Sequence, residues 1–241
     1  MTNNTSRTQK FIYNSLSAVL LQIVTVIAGF IVPRVMLVSF GSEINGLVSS
    51  ISQFIACFAL VEAGLGHAAI YSLYKPLARK EVAKLNGILS ATRRFYLLSG
   101  YVFLSLTLGL ALVYPFLIKT SMLSVSGVFL LVLILGCSGA IEFFTMAKYR
   151  ALLTADQKSY VISMASILAI SINTLVIAVL AKLGYSVVTV RFVALLSVFS
   201  RSLVLFFYVR KNYPYVDYGV APDNLSLDKR WDAFYLRLLG A

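Results

Sequence analysis

FGSEINGLVSSISQFIACFALVEAGLGHAAIYSLYKPLA, residues 40–78, is membrane-length and mostly apolar, yet it carries Ser49, Ser50, Ser52, Gln53, Glu62 and His67. A helix that merely held a protein in lipid would not contain these groups. Each buried polar group costs free energy unless it finds a partner, and a carboxylate near mid-bilayer costs about 2.5–3.5 kcal/mol even on a lenient insertion scale. The segment is therefore expected to face protein or a wet cavity, which points towards transport.

The surrounding composition agrees. Of 241 residues, 59% are hydrophobic and 12% charged, with a mean hydropathy of +0.87. A soluble domain carries about 25% charge, so the chain reads as an integral membrane protein. Six stretches are long enough for a hydrocarbon core about 30 Å thick: approximately 11–33, 46–72, 95–118, 123–146, 160–182 and 186–208. They are continuous rather than alternating, so they read as helices, the only open-ended element whose backbone satisfies itself in lipid. The first is too long for a signal-peptide core and is followed by no small-x-small cleavage site.

Charge sorts the connections. Sixteen of the 21 lysines and arginines fall on one side: before span one, in 74–94, in 148–158 and after 208. Arg34, Lys119 and Lys182 fall on the other, and Arg191 and Arg201 lie inside span six. Basic connections stay cytoplasmic, so both termini are expected inside. The net charge of +12 then has a topological origin and implies no nucleic-acid partner. Residues 1–208 read as a six-helix lobe and 209–241 as a polar cytoplasmic tail. The basic residues of 74–94 suit anionic headgroups of membrane lipids, and that loop is long enough for a short amphipathic helix.

Several polar stripes cross the spans. Ser15, Ala18, Gln22, Thr25 and Gly29 share a face of span one, read either as a small-residue packing surface or as a cavity wall. Pro33-Arg34 should end or kink that helix. In span two, Ser49, Ser52, Gln53 and His67 share one side and Glu62 the other, so the helix is either enclosed or broken at Gly64 and Gly66. Span four carries Ser138, Glu142 and Thr145; the plain reading of Glu142 is a contact with water, Lys148 or Arg150. Span five carries Ser163, Ser166 and Asn173. Arg191 and Arg201 in span six either snorkel or await an anionic partner, for which arginine is well shaped. Cys57 and Cys137 lack metal-ligand spacing and read as small apolar residues. No P-loop, HExxH or GxSxG motif is present, so neither cofactor, metal nor enzyme activity is expected.

Certain residues carry a resemblance. Gly41, Glu43 and Gly46, the run Glu62-Ala63-Gly64-Leu65-Gly66, and Leu73-Tyr74-Lys75-Pro76-Leu77 resemble the second helix and following loop of bacterial polysaccharide flippases of the multidrug/oligosaccharidyl-lipid/polysaccharide exporter superfamily. Asn14-Ser15, Pro33-Arg34 and the run from Tyr149 to Ala155 are similar too. The resemblance implies a two-lobe exporter of the bacterial cytoplasmic membrane. Such an exporter would move undecaprenyl-pyrophosphate-linked oligosaccharide repeat units outward for surface polysaccharide synthesis, by alternating access. This chain would be the N-terminal lobe, ending where a seventh helix is expected after Lys229-Arg230-Trp231-Asp232-Ala233, and completed by a second six-helix lobe or by a copy of itself. Candidate substrate or coupling residues are Arg34, Gln53, Glu62, His67, Glu142, Arg191 and Arg201. Two other readings stay open: a partial half-transporter or membrane scaffold without transport, and a drug/cation antiporter, which would need an acidic cavity.

Overall fold

Helices account for all the regular structure in the computed structural model, which describes residues 7–58, 65–118, 120 and 122–223; no strand occurs among them. The elements are α1 (Arg7–Phe58), α2 (Leu65–Arg79), α3 (Val82–Leu117), α4 (Val125–Thr145), α5 (Ala147–Ala155), α6 (Ser159–Lys182), α7 (Val187–Leu195) and α8 (Ser197–Asn212). Five helical stretches are long and apolar enough to cross a membrane, with α7 and α8 together forming the last. The chain is thus an all-α protein built for a membrane.

Three departures from the sequence reading concern where helices stop. First, the expected span 11–33 and the front of 46–72 lie in one 52-residue helix. At 1.5 Å per residue this would be about 78 Å long if straight, more than twice the hydrocarbon thickness. It continues through Pro33 and breaks instead at Gly41, whose φ of 82° and ψ of 173° are non-helical. A side chain at that φ would be strained, and glycine avoids the strain. Second, 82–94 is not a surface helix. It forms the first turns of α3, and Leu85 to Thr92 are buried there. Third, the last span steps at Leu196, where the Ser197 hydroxyl donates to the Ala194 carbonyl (2.7 Å). Residues 59–64, including Glu62 and Gly64, lie outside the described residues, as do 224–241.

The core is divided by depth. At the end bearing most basic connections, Leu73, Leu89, Met146, Leu152, Leu153 and Leu205 are fully buried together. At the opposite end Met36, Ile51, Ala111, Leu131, Val132 and Val190 form a second buried cluster. A smaller group, Tyr96, Phe103, Ala140, Phe143 and Ala147, lies apart from both. Glycines let α3 and α4 approach between the ends. A Cβ on Gly136 would sit 2.0 Å from Thr107 Cγ2, and one on Gly139 would sit 2.6 Å from Phe103 Cζ. Lipid tails are as apolar as leucine, so such close packing is what holds helices together in a bilayer.

Helix α1 packs chiefly on α6. Its covered face is Asn14, Ser17, Leu21, Val24 and Ala28, while Ser15, Ala18, Gln22, Thr25 and Gly29 are exposed. The small-residue stripe therefore makes no packing surface among the described residues. Ser49, Ser52 and Gln53 beyond the Gly41 break are exposed as well.

The basic end is fastened by polar contacts. Asp156, in the α5–α6 turn, pairs with Lys10 (3.2 Å) and Lys158 (2.9 Å) and accepts a hydrogen bond from the Tyr213 hydroxyl. Asn14 adds a bond to the Gln157 carbonyl (2.9 Å) and accepts one from the Tyr160 amide (2.8 Å). Burial alone would raise the Asp156 pKa. The Tyr213 and Lys158 hydrogen bonds and the Lys158 and Lys10 charges outweigh it, and the net shift is downward. Burial and its bond to that carboxylate push the Tyr213 phenol up. Beyond α8, residues 213–223 fold back over α3. There Asn86 donates to the Tyr215 carbonyl (3.1 Å), and the Asp223 amide donates to the Gly87 carbonyl (3.0 Å). The Lys148 ammonium lies between the rings of Tyr149 and Tyr218, 4.9 and 5.0 Å from their centroids.

Two predictions follow from this packing. Gly136→Ala should lower stability by roughly 1–3 kcal/mol through overpacking. Gly109→Ala, with no atom within 4 Å of the new Cβ, should be neutral or stabilising; thermal melts in detergent separate them. Because the folded Asp156 pKa is depressed, its contribution is complete above the ordinary carboxylate value of about 3.9 and is lost as pH falls through the folded value. The melting temperature of the wild type should therefore drop more between pH 7 and pH 3 than that of Asp156→Asn, and parallel profiles would contradict the assignment.

Candidate polar site within the helices

Helix α4 is apolar for most of its length, with one acidic residue near its end. Glu142 sits three residues before the helix terminus at Thr145. Its Oε1 lies 2.6 Å from Arg201 Nη2, and its Oε2 lies 3.8 Å from Arg150 Nη1. The first is a charge-assisted hydrogen bond of full strength; the second is a charge contact without a hydrogen bond. The side chains are 35% exposed for Glu142 and Arg150 and 19% for Arg201. Arg201 also donates from Nε to the Met146 sulfur (3.0 Å), a weak acceptor.

Local sequence brings these groups together. The α4–α5 break at Met146 and the α7–α8 step at Leu196 both lie close to the pair. Thr145 Oγ1 donates back to the Ile141 carbonyl (2.7 Å) and meets Ser202 Oγ at 2.7 Å, a second polar tie between α4 and α8. Arg150 approaches Glu142 from α5 only because α4 has already ended.

Two cavities flank this point. One, of about 280 Å³, is bounded by α4, α6, α7 and α8 and lined by Ser138, Glu142, Asn173, Arg191, Ser197 and Arg201 among apolar neighbours. The other, of about 310 Å³, is lined by Ser52, Ala56, Phe103, Gly139, Glu142 and Arg150, among others. Among the described residues Glu142 alone lines both. In the first cavity the Nε of Arg191 and the Oδ1 of Asn173 are buried without a hydrogen-bond partner. Arg191 makes no ion pair among the described residues. A buried unpaired donor and acceptor are costly, so each calls for a partner that the described part of the chain does not supply. Two guanidinium groups and one carboxylate leave this cavity basic.

The structure thus gathers three of the sequence-derived candidates, Glu142, Arg191 and Arg201, around one space. Arg34 is exposed on α1, one residue beyond Pro33 and well before the Gly41 break, and lines neither cavity. Gln53 is exposed beside Ser52 but outside the lining. His67 is exposed on α2. Glu62 lies outside the described residues. Among the described residues no group of three or more His, Cys, Asp or Glu is arranged to hold a metal ion. The Glu142–Arg201 pairing escaped the sequence reading, which matched Glu142 only to its neighbours Lys148 and Arg150. The available signal was two lone charges of opposite sign inside apolar spans.

Comparisons of the chain with protein-family models, with curated proteins and with solved structures find no match.

The pair should behave as a unit. Glu142→Gln and Arg201→Gln should each destabilise the protein by roughly 1.5–3 kcal/mol, the range for hydrogen bonds to charged groups. The double variant should lose clearly less than the sum of the two. Detergent melts of the four proteins test this, and strict additivity would show the contact to be energetically idle.

Proposed function

We propose that this chain is one lobe of a membrane transporter that moves an oligosaccharide carried on a lipid pyrophosphate from the inner to the outer leaflet. The observation that carries the reading is the cavity between α4, α6, α7 and α8, where the Arg191 Nε is buried without a hydrogen-bond partner among the described residues. An anionic group is the natural complement of such an arginine, and phosphate oxygens match its planar donors. The resemblance of the 40–78 and 149–155 segments to polysaccharide flippases supplies the substrate class. A cavity with two arginines and one glutamate favours an anion over the cationic drugs that an antiporter would need.

In this reading the chain crosses a bacterial cytoplasmic membrane six times. The crossings are the two arms of α1 divided at Gly41, then α3, α4, α6 and the α7–α8 pair. Both termini and the basic connections face the cytoplasm. The exposed polar faces of α1, at Ser15, Gln22 and Thr25 and again at Ser49, Ser52 and Gln53, border a shared path against a second lobe rather than lipid. That lobe is a separate chain, a later part of the same protein or a second copy. The lobes rock around the path, while the lipid tail stays in the bilayer and the charged head passes through. Arg191 attracts the pyrophosphate, and Glu142 and Arg201 act as gate partners.

The experiment is complementation of a strain lacking the gene, scored by surface polysaccharide and by accumulation of lipid-linked intermediates. Arg191→Ala should reduce transport at least about tenfold, corresponding to about 1.4 kcal/mol of lost interaction. Arg191→Lys should retain part of it as a point charge without bidentate geometry. Full activity of Arg191→Ala at normal membrane abundance would refute the role. A deletion strain with unchanged polysaccharide and no intermediate accumulation would instead favour a membrane scaffold.

A further inference from the structure

We infer that Glu142 is a built-in competitor for the anion site and thereby selects which anions the cavity accepts. The inference rests on the reading that this cavity receives an anionic group. It starts from the position of one carboxylate between two spaces. Oxygen Oε1 addresses Arg201 in the first cavity at 2.6 Å, and Oε2 addresses Arg150 in the second at 3.8 Å. No other described residue lines both cavities.

The asymmetry of the two contacts decides the resting state. Glu142 holds Arg201 by a short charge-assisted bond and Arg150 only by charge. Among the described residues Arg201 has one other acceptor, the Met146 thioether, which does little to neutralise it. A guest that takes Arg201 must therefore displace Glu142. Being covalently held beside Arg201, Glu142 acts at a high effective concentration. A guest with a single carboxylate offers Arg201 nothing that Glu142 does not already offer, and it gains only Arg191. Arg191 and Arg201 line the same cavity, so a pyrophosphate, with several oxygens and more than one charge, has groups to offer both and displaces the glutamate. The displaced carboxylate is not stranded, because Arg150 already lies 3.8 Å from its other oxygen. A swing about the glutamate side-chain torsions moves it from one guanidinium to the other.

A consequence reaches across α4. When Glu142 turns to Arg150, the charge at the wall of the second cavity changes, beside Ser52 and Ala56 of α1's second arm and Phe103 of α3. Anion binding in one cavity is thus linked to the state of the other. By thermodynamic reciprocity, anything that strengthens the Glu142–Arg150 contact raises affinity in the first cavity.

The test uses the purified chain in nanodiscs of uncharged phosphatidylcholine, titrated calorimetrically with inorganic pyrophosphate and, separately, with acetate. The wild type should bind pyrophosphate and not acetate. Glu142→Gln should bind pyrophosphate about tenfold more tightly and lose discrimination against acetate. Arg150→Ala should weaken pyrophosphate binding several-fold in the wild type but leave Glu142→Gln unchanged, since the alternative partner matters only while the carboxylate exists. Wild-type binding that Glu142→Gln leaves equal or weaker would overturn this inference while the anion reading stands. Absence of pyrophosphate binding in the folded wild type and in folded Glu142→Gln alike would overturn the anion reading, and this inference with it. Should Glu142→Gln fail to fold, a second readout leaves Glu142 intact. In a chain with Cys57 and Cys137 replaced by alanine, pyrophosphate should change the alkylation rate of Ser52→Cys at least about twofold, and Arg150→Ala should abolish the change. An alkylation rate indifferent to bound pyrophosphate would also overturn the inference.

Discussion

Charge inside an apolar bundle must be answered from within, and the answer here is the Glu142–Arg201 contact. Each lies in a mostly apolar helical span, and they meet at 2.6 Å. Helix α4 ends at Thr145, three residues after Glu142, and the last span steps at Leu196, five residues before Arg201. Hydroxyls beside both breaks donate back to carbonyls of the preceding turn, from Thr145 to Ile141 and from Ser197 to Ala194. Arg191 stands in contrast. It shares the cavity with the same pair, but its Nε remains without a partner.

Apolar packing frames this polar middle. Two buried clusters close the two ends of the bundle, and glycine contacts of α4 with Thr107 and Phe103 hold α3 close at intermediate depth. At the basic end the Asp156 group joins α1, the α5–α6 turn and the residue after α8 into one knot. The strap 213–223 then covers the start of α3, which is why Asn86 and Ser90, read as parts of a loop, are buried. Polar and charged side chains thus line the space between two well-packed apolar ends.

Much of this was legible because hydropathy reports length and composition directly. The expected spans 123–146 and 160–182 match α4 and α6 to within two residues, and the expected end of span three at 118 falls one residue beyond α3. Interruption was harder to read. Pro33 carried the obvious signal, yet the break falls at Gly41, because the helix tolerates one missing donor but only glycine readily takes the left-handed backbone there. The extension of α3 back to Val82 was hidden by its charges, since a basic helix end looks like a loop to a hydropathy window. The pairing of Glu142 with Arg201 depends on how α4 and α8 pack, a tertiary fact with no local signature. The residues from Ser15 to Gly29 in the stripe do share one exposed face, but periodicity does not say whether a face meets protein, lipid or water.

The central claim is that water reaches the space around Glu142, Arg191 and Arg201 within the membrane. Single cysteines placed in a chain with Cys57 and Cys137 replaced by alanine measure this directly, using a charged thiol reagent that does not cross bilayers. Ser138→Cys, on the cavity wall, should be labelled in membrane vesicles, whereas Leu175→Cys, on the exposed apolar face of α6, should not. If the two label alike, or if Ser138→Cys stays protected from both sides of the membrane, the cavity is dry and the account is wrong.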